Sequence, residues 1–343
     1  MKIGNLNIQE NVSLKERHSF GVEVNSQYFI ELNSIELIEE FVKHISEITQ
    51  AIYFIGSGSN TLFTKDFKGT IVHINNKGIE FLVENDDEVL IQVGAGEIWD
   101  DFVNFCVENE YYGIENLSAI PGQIGTTPIQ NIGAYGVEAK DCIEEVIYID
   151  IEDKDTYVID NTECQFDYRD SIFKHELKDK IIITDVVFRL SKKADFKLDY
   201  GIIQQELYKR GIDNPNISEI SNTIRRIRDS KLPDPKNIGN AGSFFKNPII
   251  TKAKYLELKK KFPKIISYKT KDDKIKIASG WMIDYLGWKG KEHHGAAVHT
   301  EQALVLTNKN NASGKAIQEL AAMIQEDIMK HFDIELEAEV NIL

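Results

Sequence analysis

The sequence predicts an α+β protein built in three parts, because three changes of pattern divide the chain. The first third alternates short apolar strands with amphipathic helix. Ile143–Leu190 is strand-rich, and from about Asn214 helical periodicity takes over before a closing strand. The expected parts are residues 1–70, rejoined by the terminal strand 332–343, then 71–212, then a smaller part over 213–331. The first two are expected to form one nucleotide site and the third to close over it.

The elements follow in order. Ala51–Ile55 is a short β-rich run ending in Gly56-Ser57-Gly58-Ser59-Asn60, and Thr70–Ile74 and Val89–Val93 read as further strands. After Gly94-Ala95-Gly96, apolar Trp99, Phe102, Val103 and Cys106 recur at i, i+3, i+4 and i+7. That is the spacing of an amphipathic helix, and Gly113 lies beyond its end. Val146–Ile151, Tyr157–Ile159 and Ile181–Leu190 are the clearest strands of the middle part. A helix with Ile220, Ile224 and Ile227 on one face runs into Lys231-Leu232-Pro233-Asp234-Pro235, where two prolines stop it. Ser313 is placed to cap a helix reaching about His331, with Ile317, Leu320, Ala321, Ile324 and Ile328 apolar. Over Ile334–Ile342 apolar residues alternate with Glu335, Glu337, Glu339 and Asn341, as in a strand with one buried face.

The chain has 343 residues, 42% of them hydrophobic, enough for more than one core. No apolar run has membrane-spanning length, and Met1–Glu10 lacks the basic and apolar segments of a leader, so a cytoplasmic protein with no membrane partner is expected. Cys106, Cys142 and Cys164 are widely spaced and form no CxxC pair, which favours buried free thiols over disulfides or structural zinc. A net charge of −15 argues against nucleic acid, whose phosphates need a basic surface. A phosphorylated small molecule stays compatible if basic groups gather in one cleft.

Five segments carry candidate chemistry. In Gly56-Ser57-Gly58-Ser59-Asn60 the small residues let backbone N–H groups approach phosphate or ribose oxygens, but Thr61 stands where GxGxxG needs its third glycine. An ordinary strand-to-helix turn explains that segment equally. In the run Pro121–Gly136, Gly122, Gly125, Gly133 and Gly136 are interleaved with Thr, Gln and Asn, and Thr127-Pro128 has the form of an N-cap followed by proline at the first helical position. So polar a stretch buries little apolar area, and a dinucleotide-binding loop with a pyrophosphate at the helix start is expected. Phe166–Lys174 packs aromatics, acids and Arg169 together, either as a turn with a surface ion pair or as an arginine fork aimed at a carboxylate or ring system.

In the fourth segment Arg228 follows Ile224 by four residues and Lys231 follows Ile227 by four. If the helix persists, both cations project to its apolar face, where they either snorkel or meet an anion such as a diphosphate. Ser243, in Gly239-Asn240-Ala241-Gly242-Ser243-Phe244-Phe245-Lys246-Asn247-Pro248, is either a positioned proton donor or a turn hydroxyl. In the terminal strand nothing local distinguishes Glu339 from its neighbours. His293, His294 and His299 lack ligand spacing, with Gly295-Ala296-Ala297 reading as packing, and no metal is expected.

In this order and spacing, the segments Pro128–Gly136, Tyr168–Lys174 and Gly239–Pro248 resemble the UDP-N-acetylenolpyruvoylglucosamine reductase (UDP-N-acetylmuramate dehydrogenase) family. The resemblance runs from Arg17-His18-Ser19-Phe20-Gly21 to Leu336-Glu337-Ala338-Glu339-Val340, nearly the whole chain. Tyr268 and the segment after it resemble the subgroup with an extra substrate-covering loop and tyrosine. Two departures are visible: Thr126-Thr127 stand where paired serines are common, and Asn341 where an arginine is frequent.

The resemblance implies a two-part FAD-binding domain of the vanillyl-alcohol-oxidase type and a C-terminal α+β domain for the sugar nucleotide. It implies non-covalent FAD held by Gly56, Ser57, Gly58, Ser59 and Asn60, by Pro121, Gly122, Gly125, Thr126, Thr127, Ile129, Gln130, Asn131, Gly133, Ala134 and Tyr135, and by Tyr168. NADPH is the implied hydride donor and UDP-N-acetylglucosamine enolpyruvate the implied substrate, bound by Tyr200, Arg228, Lys231, Asn247 and Tyr268 in a monomer. Arg169 matches the electrophilic arginine. Glu339 matches a glutamate that helps only when it carries or shares a proton. Ser243 matches the residue that protonates the α-carbon. A flavin-dependent sugar or alcohol oxidase of the same fold is the enzymatic alternative, and a sugar-nucleotide sensor with structural flavin the non-enzymatic one.

Overall fold

The computed structural model describes residues 4–199, 201–270 and 272–343, so Tyr200 lies outside the described residues. The chain divides into two compact units. The first takes the N-terminal residues up to Asn11, Gln27–Ser57 and Lys68–Ser230, and the second takes Val12–Ser26, Gly58–Phe67 and Lys231–Leu343. The helix Ile217–Asp229 stays with the first unit because Ile220, Ile224 and Ile227 pack against Ile203 and Leu207 of the helix Gly201–Lys209. The terminal strand lies with residues 58–67 in the second unit, where it pairs with Thr61–Leu62.

The first unit holds two sheets. In the smaller, the strand order is Ile8–Ser13, Asn25–Leu32, Phe67–Ile74, Ala51–Ile55, the last two parallel. The helix Ile35–His44, capped by the Ser34 hydroxyl accepting the Leu37 N–H, buries Ile38, Phe41 and Val42 in a core with Ile30, Leu32 and Val72. The larger sheet is antiparallel throughout, in the order Thr156–Asp160, Ile143–Asp150, Ile181–Ser191, Glu88–Gly94, Ile79–Glu84. Against it lies the helix Trp99–Glu108, whose Trp99, Phe102, Val103 and Cys106 are all buried as their spacing predicts. Phe188 on the central strand meets Phe102 at 5.0 Å and Trp99 at 5.8 Å between ring centroids. The indole N–H of Trp99 donates to the Leu117 carbonyl at 3.0 Å, so its one polar atom is satisfied in the core.

The second unit pairs Gly239–Ser243, Val305–Asn308, Ala296–Val298 and Glu292–His293 into an antiparallel sheet. The helix Gly314–Phe332 is capped by Ser313 and buries Ile317, Leu320, Ala321, Ile324 and Ile328. Ile249–Ile250, Ile275–Ile277 and Ser267–Lys269 form a smaller sheet.

The expected strand Ile334–Ile342 is a strand only at Asn341–Ile342, parallel to Thr61–Leu62. Its alternation is real, since Ile334, Leu336 and Val340 are buried and Glu335 and Glu337 exposed. The backbone bonds go elsewhere: Glu339 N–H donates to Phe244 O at 2.8 Å and Lys246 N–H to Glu337 O at 3.0 Å, around an isolated bridge between Phe245 and Ala338. The period of side-chain burial thus survives where the regular ladder does not. Ile342, expected inside, is 36% exposed.

All three cysteines are free and buried. Burial pushes the Cys142 and Cys164 thiols up to about 12, which keeps them protonated and inert.

Trp99→Ala removes the largest fully buried side chain from the sheet–helix core and leaves the Leu117 carbonyl without its indole donor. Denaturant titration should show a loss of about 3–5 kcal/mol; a loss under about 1 kcal/mol would mean the corner can collapse.

Candidate functional site

The glycine-rich run is laid against the corner between the strand Glu88–Gly94 and the helix Trp99–Glu108. Trp99 N–H donates to Gly122 O at 3.1 Å, Ile124 N–H to Glu97 O at 2.9 Å and Gly125 N–H to Ala95 O at 2.9 Å. A side chain on Gly125 would begin 2.6 Å from Ala95 Cβ, so only glycine allows this approach. The helix that follows, Thr127–Gln130, does not start as expected. Its N-cap position is Thr126, not Thr127, and a 3₁₀ turn over Ile124–Thr126 runs directly into it. The Thr126 and Thr127 hydroxyls turn back to donate to Gln123 O and Ile124 O, each at 2.7 Å, instead of capping an N–H. Backbone carbonyls one turn earlier outcompete the capping role because the preceding turn already occupies the helix start.

Asn131 ends this helix in a left-handed conformation and is fully buried. Its amide donates to Asp167 O at 2.9 Å and its side-chain oxygen accepts the Lys140 N–H at 3.1 Å. Gly133–Ala134 then folds back on Val137–Glu138 through Tyr135 and Gly136, both at positive φ. Arg169, itself left-handed at φ 55°, reaches this hairpin. Its guanidinium donates to Gly133 O at 2.6 Å and Asn131 O at 3.2 Å and lies 5.5 Å from the centroid of the Tyr168 ring. These bonds fix the plane of the fork. Ser171 Oγ donates to Ile129 O at 2.9 Å, tying the two motifs together a second time.

Arg228 is brought to the same loop system. Its Nε donates to Ala119 O at 3.1 Å; burial pushes its pKa down, and the Tyr135 side chain acts in the opposite direction. Lys231 does not share that position. The helix stops at Asp229, and Lys231 is exposed in the second unit, because the chain turns out of the helix ahead of Pro233.

In the second unit, pairing of residues 244–246 with 337–339 sets Glu339 beside the segment that Ser243 opens. Glu339 is half-buried and its carbonyl accepts from the Asn60 amide at 3.0 Å, while Ser243 is exposed at the end of its strand. Asn60 O accepts from Asn341 N–H at 3.0 Å. Ser19 caps the preceding loop, its hydroxyl donating to Ser59 O at 3.2 Å and its N–H to Gly58 O at 3.1 Å. Asn247 accepts the Ser279 N–H at 2.9 Å, and Tyr268, 47% exposed, sits on the strand Ser267–Lys269.

Three features escaped sequence reasoning. Gln123 is buried; its amide donates to Gly96 O at 2.9 Å, and its side-chain oxygen has no partner among the described residues. That oxygen lies 2.7 Å from where a Gly56 side chain would start, so a buried acceptor stands between two glycine loops. A hydroxyl or imide N–H of FAD is the kind of donor that satisfies such an atom, and the residues present fit the cofactor. Its place inside the glycine-rich run was the available signal.

The second feature is Asp100, which takes a bidentate bond from Arg225 at 2.6 and 2.7 Å and the N–H of Ala119 at 2.6 Å. It holds Ala119 at φ 59° directly before the loop. The third is Glu115, a buried acid lining a cavity of about 640 Å³ with Tyr135, Gly136 and Lys197. Neither has a sequence signature, since an acid in a helix and an acid in a loop look like surface residues.

Residues 26–155 match the family profile described as FAD binding domain, and 234–343 match the C-terminal domain of UDP-N-acetylenolpyruvoylglucosamine reductase. The fold and loops therefore define a protein of the FAD-binding-domain class. The chain is 43% identical over 339 residues to the UDP-N-acetylenolpyruvoylglucosamine reductase of Flavobacterium johnsoniae, covering 98% of this chain and 100% of that one. It is 43% identical over 336 residues to its namesake in Bacteroides fragilis, again over 98% and 100%. In fold it is similar to the crystal structure of the Thermus caldophilus enzyme of that name, with TM-score 0.67 and 21% identity over 98% of this chain and 99% of that one. This chain belongs to the UDP-N-acetylenolpyruvoylglucosamine reductase family.

Two outcomes test the geometry. Gly125→Val forces the loop off Ala95; it should cost at least about 1–3 kcal/mol and lower the flavin-to-protein absorbance ratio of the purified protein. Burial raises the Glu115 carboxyl, with the Gly113 N–H bond at 2.8 Å only partly offsetting it. A raised folded pKa means that its stabilising contribution is full below the unfolded value of about 4.3 and is lost as pH rises through the folded value. Glu115→Gln should flatten the fall in stability over that window, and an unchanged slope would assign the pH dependence elsewhere.

Proposed function

We propose that this chain reduces UDP-N-acetylglucosamine enolpyruvate to UDP-N-acetylmuramate with NADPH, as a cytoplasmic monomer supplying peptidoglycan precursors. The observation that carries the reading is the pairing of residues 244–246 with 337–339, which sets the half-buried Glu339 next to the segment opened by Ser243 in the matched C-terminal domain. Family membership over the full length supports the substrate.

FAD, when bound, would supply the hydride-transfer chemistry that links NADPH to the β-carbon of the enolpyruvyl group. Addition at that carbon pushes charge onto the α-carbon and the adjacent carboxylate. Arg169 is the group that stabilises this charge, since its guanidinium is already oriented by Gly133 O and Asn131 O and loses little freedom in acting. Glu339 corresponds to the family's glutamate, which assists the reduction only when it holds or shares a proton. Ser243 gives its hydroxyl proton to the α-carbon, and the developing carbanion makes that transfer favourable from an otherwise weak acid. Arg228, a half-buried cation bonded to the Ala119 carbonyl and the Tyr135 side chain, gains from a diphosphate or carboxylate partner. Lys231, Asn247, Tyr268 and Tyr200 complete the sugar-nucleotide contacts. Gly56, Ser57, Gly58, Ser59 and Asn60 with the Pro121–Tyr135 run and Tyr168 hold FAD.

Ser243→Ala separates the two halves of the reaction. Anaerobic NADPH should bleach the flavin of the variant as it does the parent, whereas turnover of the enolpyruvyl sugar should fall by about 10²–10⁴. Full turnover would remove Ser243 as the proton donor. Loss of bleaching would place it instead in cofactor or NADPH binding.

A further inference from the structure

We propose that His293, His294 and Glu319 form a binding site for a divalent transition metal of the zinc, nickel or cobalt type on the second unit. The three residues come from a hairpin and a helix that two strands, Ala296–Val298 and Val305–Asn308, separate in the sequence. His293 ends the strand Glu292–His293, His294 follows it in the turn, and Glu319 lies on the helix Gly314–Phe332. One ligand atom from each lies within 4.8 Å of the others. His293 Nε2 and Glu319 Oε2 are 2.9 Å apart, and the two imidazole rings meet edge to face with centroids 4.3 Å apart. Metal–ligand distances of about 2.0–2.2 Å place the donors of a tetrahedral centre ~3.3 Å apart. Side-chain rotation of a few tenths of an ångström between the carboxylate and His293, with a modest swing of exposed His294, therefore suffices.

The backbone supplies an independent argument. His293 pairs with Ala296, so His294 and Gly295 are the two central residues of a hairpin turn, with φ of 47° and 87°. A turn with both central residues left-handed favours Asn-Gly or Asp-Gly. Histidine there carries a conformational cost that an asparagine would reduce, and strained residues of this kind cluster where a side chain has work to do. Gly295 O accepts from both Lys309 N–H and Asn310 N–H at 3.0 Å, so the hairpin is pinned and cannot relax the strain by opening. Two imidazoles and one carboxylate suit a borderline transition metal, and too few oxygens are present for calcium or magnesium. A metal here would clip the hairpin to the helix, leaving at least one coordination position for water. Lys315 Nζ lies 3.7 Å from Glu319 Oε1, the carboxylate oxygen that His293 does not bond.

Chelator-treated, tag-free, flavin-loaded full-length protein titrated calorimetrically with Zn²⁺ tests this. The expected result is one saturable equivalent, with affinity at least about tenfold weaker in His294→Asn and in Glu319→Gln. His294→Asn removes a ligand while suiting the turn better, so its melting temperature without metal should not fall. Lost binding in that variant cannot then be blamed on unfolding. His331→Ala, which removes a separate exposed imidazole paired with Asp327, should bind Zn²⁺ as the parent does. Equal affinity across parent, His294→Asn and Glu319→Gln, or only weak uptake without saturation, would overturn the site as general surface histidine binding.

Discussion

The first unit depends on how closely the glycine-rich loop can approach the strand-to-helix corner at Ala95–Trp99. Backbone groups buried at such a contact must find partners. They do so in a single register, through Gly122 O, Ile124 N and Gly125 N. The corner is itself immobilised by Trp99, whose ring packs on Phe188 and whose N–H is bonded to Leu117 O. The course of the loop is therefore inherited from the hydrophobic core. Once the loop is set, Asn131 and Gly133 present their carbonyls to Arg169, and Tyr135 is turned towards Arg228.

Charge is distributed with the same economy in an otherwise acidic chain. Arg225 is closed into a bidentate pair with Asp100, and its role is to hold helix Ile217–Asp229 and the residue before the loop in place. Arg228, one turn later, is bonded to the neutral Ala119 carbonyl, and burial lowers its pKa. Two arginines three residues apart on one helix thus differ in kind. The first is neutralised by a carboxylate in the folded protein, whereas the second has a backbone carbonyl and the Tyr135 side chain as partners, and desolvation outweighs them.

Most elements were legible because burial periodicity is local. Trp99, Phe102, Val103 and Cys106 announced their helix, and Ala51–Ile55 its strand, residue for residue. Failures occurred where two local rules competed and tertiary neighbours chose between them. Thr127-Pro128 had the form of a helix start, yet a preceding 3₁₀ turn took that role. The helix carrying Ile220 had to end before Pro233, but whether Lys231 fell inside it was decided by the turn at Ser230. The alternation foretold the burial of Ile334, Leu336 and Val340, though not the exposure of Ile342 or the hydrogen-bond partners, because a period of two describes an extended chain with or without a regular ladder.

By itself, the sequence determined the α+β class, the burial pattern of each long element and, through three motifs in register, the family. Those properties are carried by residues close together in the chain, where side-chain period, glycine content and cap chemistry act locally. Only the tertiary structure decided which carbonyls orient Arg169, which carboxylate holds Ala119, that the side-chain oxygen of Gln123 is buried beside Gly56, and that Glu319 meets His293 across 26 residues. Each is a contact between groups distant in sequence, and its formation depends on packing that no local pattern encodes.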